Sequence, residues 1–237
     1  MSSLTLLSRP TYPPVSVPAM FQQAAGTPQQ HHLPQQEQKV WLLGYGSLME
    51  PTSLDKSFQT IDKIAPEDKR KVTLTGWQRV WDAVCTVVDD AGKRTNVVFL
   101  NLMPKKQSAM TAVALHVTKA QAEAIDKREK MYHFVDVGND VTSWKALNGN
   151  NISEKAPDHL YVAVADANNR LPAAGKPPLL GETLIPKAYV KTVEAAFKAL
   201  KLPQAEYPKH TAQVKQFDYT KAGIVPPECE GKLRTMG

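Results

Sequence analysis

Closely spaced strand-like segments constrain the fold of this 237-residue chain more than any other feature of its sequence. These segments are rich in β-branched residues and partly alternate between apolar and polar side chains. They lie at 40–43, 72–76, 83–88, 95–102, 109–117, 132–137 and 159–165. Between residues 72 and 117 the gaps are too short for helical crossovers. The pattern therefore predicts an α+β domain with a curved, mainly antiparallel or mixed sheet.

Two segments carry helical signals. The first begins at Thr118, whose hydroxyl can cap the helix while Gln121 reaches back, and it runs to Lys130. The second follows Pro186, carries an apolar stripe at helical spacing, and stops before Pro203. A short helix is also expected to begin at Pro51, after the first strand.

The two ends of the chain differ from the region between them. Residues 1–38 are rich in proline and glutamine and carry few charges, so we predict a disordered leader and only a weak targeting candidate. The catalytic or binding domain is expected at 39–222, followed by a C-terminal tail at 223–237.

Composition narrows the class of protein. The net charge is +6, but the basic residues are scattered, which does not favour nucleic acid as a partner. The longest apolar runs are strand-sized, so we expect no membrane span. The two cysteines, Cys85 and Cys229, form no disulfide framework or zinc-ligand pattern, and we expect free thiols in a reducing, cytoplasmic compartment.

A glycine-bearing turn follows the first strand. Residues 44–48 read Gly-Tyr-Gly-Ser-Leu, and two glycines let the backbone approach a ligand while its amides point in one direction. The turn lacks the third glycine of a dinucleotide fingerprint and the Lys-Ser/Thr ending of a phosphate loop. It is therefore a candidate anion cradle, and a purely structural turn is the alternative.

Glu129 is the candidate proton-transfer group. At ~100° per helical residue it shares the stripe of Ala122 and Ile125, which should face the interior. A carboxyl group in a partly dry pocket is suited to accept and return a proton near neutral pH. This interpretation requires that Lys127, Arg128 and Lys130 reach solvent. The alternative is a glutamate paired with Arg128 or with a basic residue across the fold.

A set of short motifs along the chain resembles one known family. The run Gly-Tyr-Gly-Ser-Leu-Met at 44–49 is followed by Leu-Thr-Gly-Trp-Gln-Arg at 74–79 and by Ile-Asp-Lys-Arg-Glu at 125–129. Further matches are Tyr132, an apolar strand with Tyr161, proline-rich residues at 172–178, and Pro186 with Tyr189. Over residues 40 to about 205 the chain resembles the γ-glutamylcyclotransferase-like superfamily.

The resemblance implies a small barrel-like mixed sheet with packed helices and a cavity whose floor is the glycine turn. It implies that Glu129 moves the proton while a γ-glutamyl amide cyclises to 5-oxoproline. It further implies substrate contacts from Tyr45, Gly46, Ser47 and Leu48, and no metal or organic cofactor. Tyr132 and Tyr161 are expected either to line the pocket or to serve only in packing.

Other interpretations stay open at this point. Arg79, between Trp77 and Trp81, is expected to stack on a surface tryptophan, with carboxylate binding as the alternative. Residues 89–92 are expected to form a hairpin turn. The chain is either an enzyme acting on a small γ-glutamyl substrate, a non-catalytic binding module with the same fold, or, least supported, a basic nucleic-acid-binding protein.

Overall fold

The computed structural model describes residues 12–24, 38–59 and 61–234. Within them the strands are β1 Lys39–Gly44, β2 Lys69–Val88, β3 Arg94–Thr118, β4 Tyr132–Asp136, β5 Val141–Ala146, β6 Tyr161–Ala165, β7 Glu182–Pro186 and β8 Gln213–Lys215. The α-helices are α1 Val17–Ala24, α2 Pro51–Asp55, α3 Lys119–Arg128, α4 Lys187–Ala199 and α5 Pro227–Arg234. No helix among the described residues has the length and apolar character needed to cross a membrane.

A long antiparallel hairpin, β2 with β3, forms the centre of the sheet. The four predicted segments between 72 and 117 merge into these two strands, whose pairing is interrupted by irregularities at Thr75/Trp77 and Trp81/Ala83. Such irregularities increase the local twist and bend of a strand pair. The predicted turn at 89–92 is confirmed, because the Gly92 amide donates to the Asp89 carbonyl at 2.9 Å.

The sheet is mixed, as the sequence predicts. Its strand order is β4-β6-β1-β3-β2-β5, and β7 pairs with β3 and β8. β1 runs parallel to β6 and antiparallel to β3, and it is buried along almost its whole length. This central position places the end of β1, and the turn after it, inside the domain. The predicted α+β class with packed helices is confirmed.

Both strongly predicted helices are present. Thr118 and Gln121 form a reciprocal capping box at the start of α3, and Pro186 precedes α4. The buried face of α4 includes Tyr189, Val193 and Phe197. α3 ends at Arg128, so Glu129 is the C-cap residue, where the backbone leaves the helix.

The prediction of a disordered leader is wrong for residues 12–24. The helix α1 buries Val17, Met20 and Phe21 in the main hydrophobic core. The Val15 amide also donates to the Phe134 carbonyl of β4 at 2.8 Å. A short apolar cluster thus docks on the sheet although its surroundings are proline-rich and polar. Residues 1–11 and 25–37 lie outside the described residues.

The boundary after residue 222 is also wrong, because residues 223–234 of the expected tail belong to the domain; residues 235–237 lie outside the described residues. Ile224 exchanges two backbone hydrogen bonds with Val88 at the end of β2, and the helix α5 follows. Cys229 on α5 forms a disulfide with Cys85 on β2, so the prediction of two free thiols is wrong here. The two cysteines are 144 residues apart in sequence, and only the fold brings them together.

Candidate active site

The end of β1, the end of α3 and the helix α5 meet at a small buried cavity. Its lining residues are Tyr45, Gly46, Ser47, Leu48, Leu100, Glu129, Ala163, Tyr189 and Lys232. The predicted glycine turn and the predicted glutamate therefore lie at one cavity. The free space is only about 10 Å³, close to the minimum for a single water molecule.

The turn after β1 forms one wall. Gly46 caps a 3-10 turn at Ser47–Met49, and the Met49 amide donates to the Gly46 carbonyl at 3.0 Å. The amides of Ser47 and Leu48 belong to the open first turn of this short helix, where no intrahelical acceptor exists. A Cβ atom on Gly46 would lie 3.1 Å from the Tyr189 hydroxyl, so glycine permits this close approach of the backbone.

Glu129 forms the opposite wall and is only 3% exposed. Its inward direction agrees with the helical periodicity. Its carboxylate accepts hydrogen bonds from the Lys232 ammonium at 2.6 and 2.9 Å, and Arg128 Nε lies 3.1 Å from Oε1. The ion pairs left open as an alternative are thus present, both with Arg128 and with a basic residue from across the fold. The carboxylate is shielded from water and carries two cationic neighbours.

Lys232 is the residue that sequence reasoning missed. Its side chain is buried, and its ammonium lies 5.1 Å from the ring centroid of Tyr132 and 5.6 Å from that of Tyr189. Burial lowers the pKa of Lys232 to about 8, while Glu129 opposes that shift and Arg128 adds to it. The one sequence signal is the spacing of Cys229 and Leu233, which places Lys232 on the buried side of a short helix.

Arg128 does not reach solvent, contrary to the expectation. Its guanidinium donates to the Ser47 hydroxyl at 2.7 Å, to the Ser53 carbonyl at 2.6 Å and to the Ser57 hydroxyl at 3.1 Å. It therefore ties the end of α3 to the glycine turn and to α2. A planar group with several donors suits this task better than lysine would. Its positive charge is part of the wall beside Glu129, as the alternative of a pair with Arg128 allows.

Arg79 is not a surface residue, because its side chain and both neighbouring tryptophans are buried. Its Nε donates to the Tyr45 carbonyl at 2.7 Å, and its guanidinium lies 4.9 Å from the ring centroid of Phe197. Glu206 pairs with it at 3.3 Å. Burial lowers the pKa of Arg79 to about 10, so it stays charged at neutral pH. Arg79 holds the backbone of the glycine turn from behind.

Three tyrosines, Tyr45, Tyr132 and Tyr189, lie at or beside the cavity, and Tyr161 does not. Tyr45 donates to the Ala163 carbonyl and Tyr132 to the Leu100 carbonyl, each at 2.9 Å, and burial raises the pKa of both hydroxyls well above 10. Burial and the nearby Glu129 also raise the pKa of Tyr189, which lines the cavity although the sequence assigned it no role there. Tyr161 is elsewhere: it does not line the cavity, and its hydroxyl donates to Gln23 of α1 at 2.6 Å.

Comparisons with known proteins give distant structural likenesses. No family model matches the chain, and no curated protein matches its sequence. A solved structure described as a γ-glutamyl cyclotransferase has a TM-score of 0.45 and 13% identity, covering 83% of this chain and 99% of that chain. A yeast γ-glutamyl cyclotransferase described as specific to glutathione has a TM-score of 0.42 and 13% identity, covering 83% and 96%.

An uncharacterized protein from Homo sapiens is similar at a TM-score of 0.42 and 15% identity, covering 84% of this chain and 99% of that chain. All three TM-scores lie below 0.5. The assignment of a function therefore depends on the residues of the cavity.

Proposed function

We propose that this chain is a γ-glutamyl cyclotransferase, which releases 5-oxoproline from a γ-glutamyl peptide or γ-glutamyl-amine. One observation carries the proposal: the buried Glu129 carboxylate and the glycine turn at 45–48 line the same cavity. The motifs that resemble the superfamily supply both walls of that cavity. The names of the similar solved structures agree with this activity but do not carry it.

The reaction needs one group that accepts a proton and later returns it. The α-amine of a γ-glutamyl unit is an ammonium ion in water and becomes a nucleophile only after it loses a proton. Glu129 already binds an ammonium ion, that of Lys232, through both carboxylate oxygens. In the proposed mechanism it binds the substrate ammonium in the same way and takes one proton from it.

Ring closure is intramolecular. The freed amine attacks the γ-carbonyl of its own glutamyl unit, and a five-membered lactam forms without a protein nucleophile. The amides of Ser47 and Leu48 are placed to hold the substrate carboxylate or the developing oxyanion. The C–N bond to the leaving group then breaks as Glu129 returns its proton to the departing nitrogen, and the ring nitrogen releases its second proton to water. The products are 5-oxoproline and a free amine.

The filled cavity favours a second candidate, a binding module that has lost turnover. Ligand pockets usually measure about 300–1,000 Å³, whereas this space is about 10 Å³. A γ-glutamyl group can enter only after Lys232 has left. The two candidates make different predictions once the lysine is removed, because the enzyme then gains a substrate site with an intact base.

We expect the Glu129→Gln change to abolish 5-oxoproline release, because an amide of nearly the same size cannot take the ammonium proton. The assay offers glutathione, γ-glutamyl-alanine and γ-glutamyl-lysine in turn to the native chain and to a Lys232→Met variant. Glu129→Gln is introduced into the native chain and into the Lys232→Met variant. A cavity blocked by Lys232 is then not mistaken for an enzyme that lacks its proton-transfer group.

The matched control is Glu194→Gln, the same change at an exposed position of α4, which should leave turnover as it was. Turnover that survives Glu129→Gln would remove this residue from the mechanism. A Lys232→Met protein that is folded, with its Cys85–Cys229 disulfide reduced, but inactive on all three substrates would favour the binding module.

A further inference from the structure

We propose that α5 is a lid that closes the cavity, with Lys232 in the place of the substrate ammonium and the Cys85–Cys229 disulfide as its reversible lock. This inference rests on the proposed function, since it concerns regulation of the same site. Four features of the described residues support it: the contact with Glu129, the position of α5 between two spaces, the close packing of Gly231, and the disulfide itself.

Lys232 reproduces the chemistry that the substrate brings. A γ-glutamyl unit presents an ammonium group to the base, and Lys232 places its ammonium 2.6 and 2.9 Å from the two Glu129 oxygens. The aromatic rings of Tyr132 and Tyr189 lie beside this cation. The lysine and a substrate ammonium therefore compete for one acceptor, and only one of them can occupy the cavity.

The helix α5 separates this cavity from a large groove. The groove has a volume of about 850 Å³ and lies between α3, α5 and the residues Lys56, Ser57, Gln59 and Ile61 after α2. Gly231 lines the groove, and the next residue, Lys232, lines the cavity. Arg128 also lines the groove while it bonds Ser47 in the cavity wall. Outward movement of α5 would join the two spaces and give a substrate an entry path.

Gly231 lets α5 sit directly on the end of α3. A Cβ atom at Gly231 would lie 2.5 Å from the Lys127 carbonyl oxygen and 2.8 Å from the Arg128 Cα atom. Backbone atoms cannot move aside as a flexible side chain can, so any larger residue must displace α5. A substitution at Gly231 therefore tests the lid by displacing α5, while Lys232 and the disulfide stay unchanged.

The disulfide holds α5 in its docked position, which the short helix alone would keep only weakly. α5 has only eight residues, and helices shorter than ~12 residues are marginal without tertiary support. Its backbone is held upstream by the Ile224–Val88 pairing, and Cys229 is then bonded to Cys85 within the core. Such a tether raises the effective concentration of Lys232 at Glu129.

Opening the lock is a thiol–disulfide exchange. A dithiol reductant attacks one sulfur through its thiolate, the Cys85–Cys229 bond breaks through a mixed disulfide, and the second thiol resolves it. The protein gains two electrons and two protons as two thiols, and the reductant becomes a disulfide. Both sulfurs are buried, so attack proceeds from states in which α5 has frayed. The same exchange in reverse closes the lid under oxidising conditions.

The test measures 5-oxoproline release by the full chain before and after treatment with dithiothreitol. We expect release to rise about tenfold or more on reduction, because the tether contributes an effective concentration advantage on the order of 10²–10⁴. Cys229→Ser and Gly231→Ala should be active without reductant, and Cys229→Ser should not respond to it. Lys232→Met, reduced in the same way, should be at least as active as the reduced native chain, because no ammonium ion of α5 then returns to Glu129. Lys119→Met, an exposed lysine of α3, is the matched control and should behave as the native chain.

Hydrogen exchange of residues 227–234 gives a readout that does not depend on catalysis. Reduction and Gly231→Ala should each speed exchange in this segment while leaving residues 119–128 protected. If no protein form releases 5-oxoproline but exchange responds as expected, the lid stands and the proposed function fails. Measurable 5-oxoproline release that is no higher in the reduced native and reduced Lys232→Met proteins than in the oxidised native chain, or exchange that ignores reduction, would overturn the lid.

Discussion

At the scale of single residues, Lys232 is held where its own charge is disfavoured. Burial lowers its pKa from 10.5 to about 8, with Glu129 acting against the shift and Arg128 with it. The rings of Tyr132 and Tyr189 also lie beside its ammonium group. Lys232 is thus an ammonium ion at neutral pH, but one that gives up its proton more readily than an exposed lysine.

We expect the side-chain NMR resonance of Lys232 to titrate with a midpoint near pH 8, and the resonance is identified by its loss in Lys232→Met. The undocked side chain keeps its proton up to about pH 10.5. Because the docked lysine binds fewer protons, docking of α5 becomes more favourable as the pH rises from about 8 to 10.5. Below about pH 8 the lysine is protonated in both states, and docking no longer depends on its titration. A midpoint near 10.5 in the oxidised protein would contradict the burial of this lysine.

The residues around the cavity differ in how far the sequence predicts them. Glu129 and the turn at 45–48 follow from helical periodicity and from glycine chemistry, both of which are local. The burial of Arg128 does not follow from the sequence, because its side chain bonds Ser47, Ser53 and Ser57, which lie more than 70 residues away in the chain. Lys232 depends on contacts between α5 and two distant elements, which no local pattern encodes.

At the scale of elements, α1 is a structural part of the domain. It buries Met20 completely, and Gln38 donates to the Phe21 carbonyl at 2.7 Å. Gln23 accepts the Tyr161 hydroxyl, which explains why that tyrosine is turned away from the cavity. Residues 12–24 therefore brace the outer side of β4 and β6.

We expect Met20→Ala to lower the free energy of unfolding by about 2–5 kcal/mol, because it leaves a cavity in the core. Gln22→Ala, at an exposed position of the same helix, should change it by less than about 0.5 kcal/mol. Urea denaturation of the two variants checks both values. Equal stability of Met20→Ala and the native chain would show that α1 does not pack on the sheet in solution.

The strength of local signals explains which elements the sequence predicts. α3 has a capping box, α4 has an apolar stripe, and the buried strands are rich in β-branched residues. Three strands were not predicted: β5 and β8 are partly or fully exposed and lack alternation, and β7 has only five residues, the last three buried in a row. α1 and α5 have eight residues each, which is too short for periodicity to stand out. Their helical state comes from docking.

At the scale of the whole molecule, the first and last described helices, α1 and α5, both pack on one sheet. α1 covers one part of the sheet, and α5 covers the end of β1, where the glycine turn and Glu129 meet. The disulfide joins α5 to the long central hairpin. In this arrangement Glu129 and the glycine turn face each other across a cavity that α5 closes with Lys232. The central claim is that this site accepts a γ-glutamyl group once Lys232 has left.

The most direct measurement of that claim is a crystal structure of the Lys232→Met variant soaked with L-glutamate. We predict that the ligand ammonium lies within ~3.2 Å of the Glu129 carboxylate and that one of its carboxylates faces the amides of Ser47 and Leu48. Glutamate bound away from Glu129, or a cavity that stays closed and empty in the variant, would contradict the account.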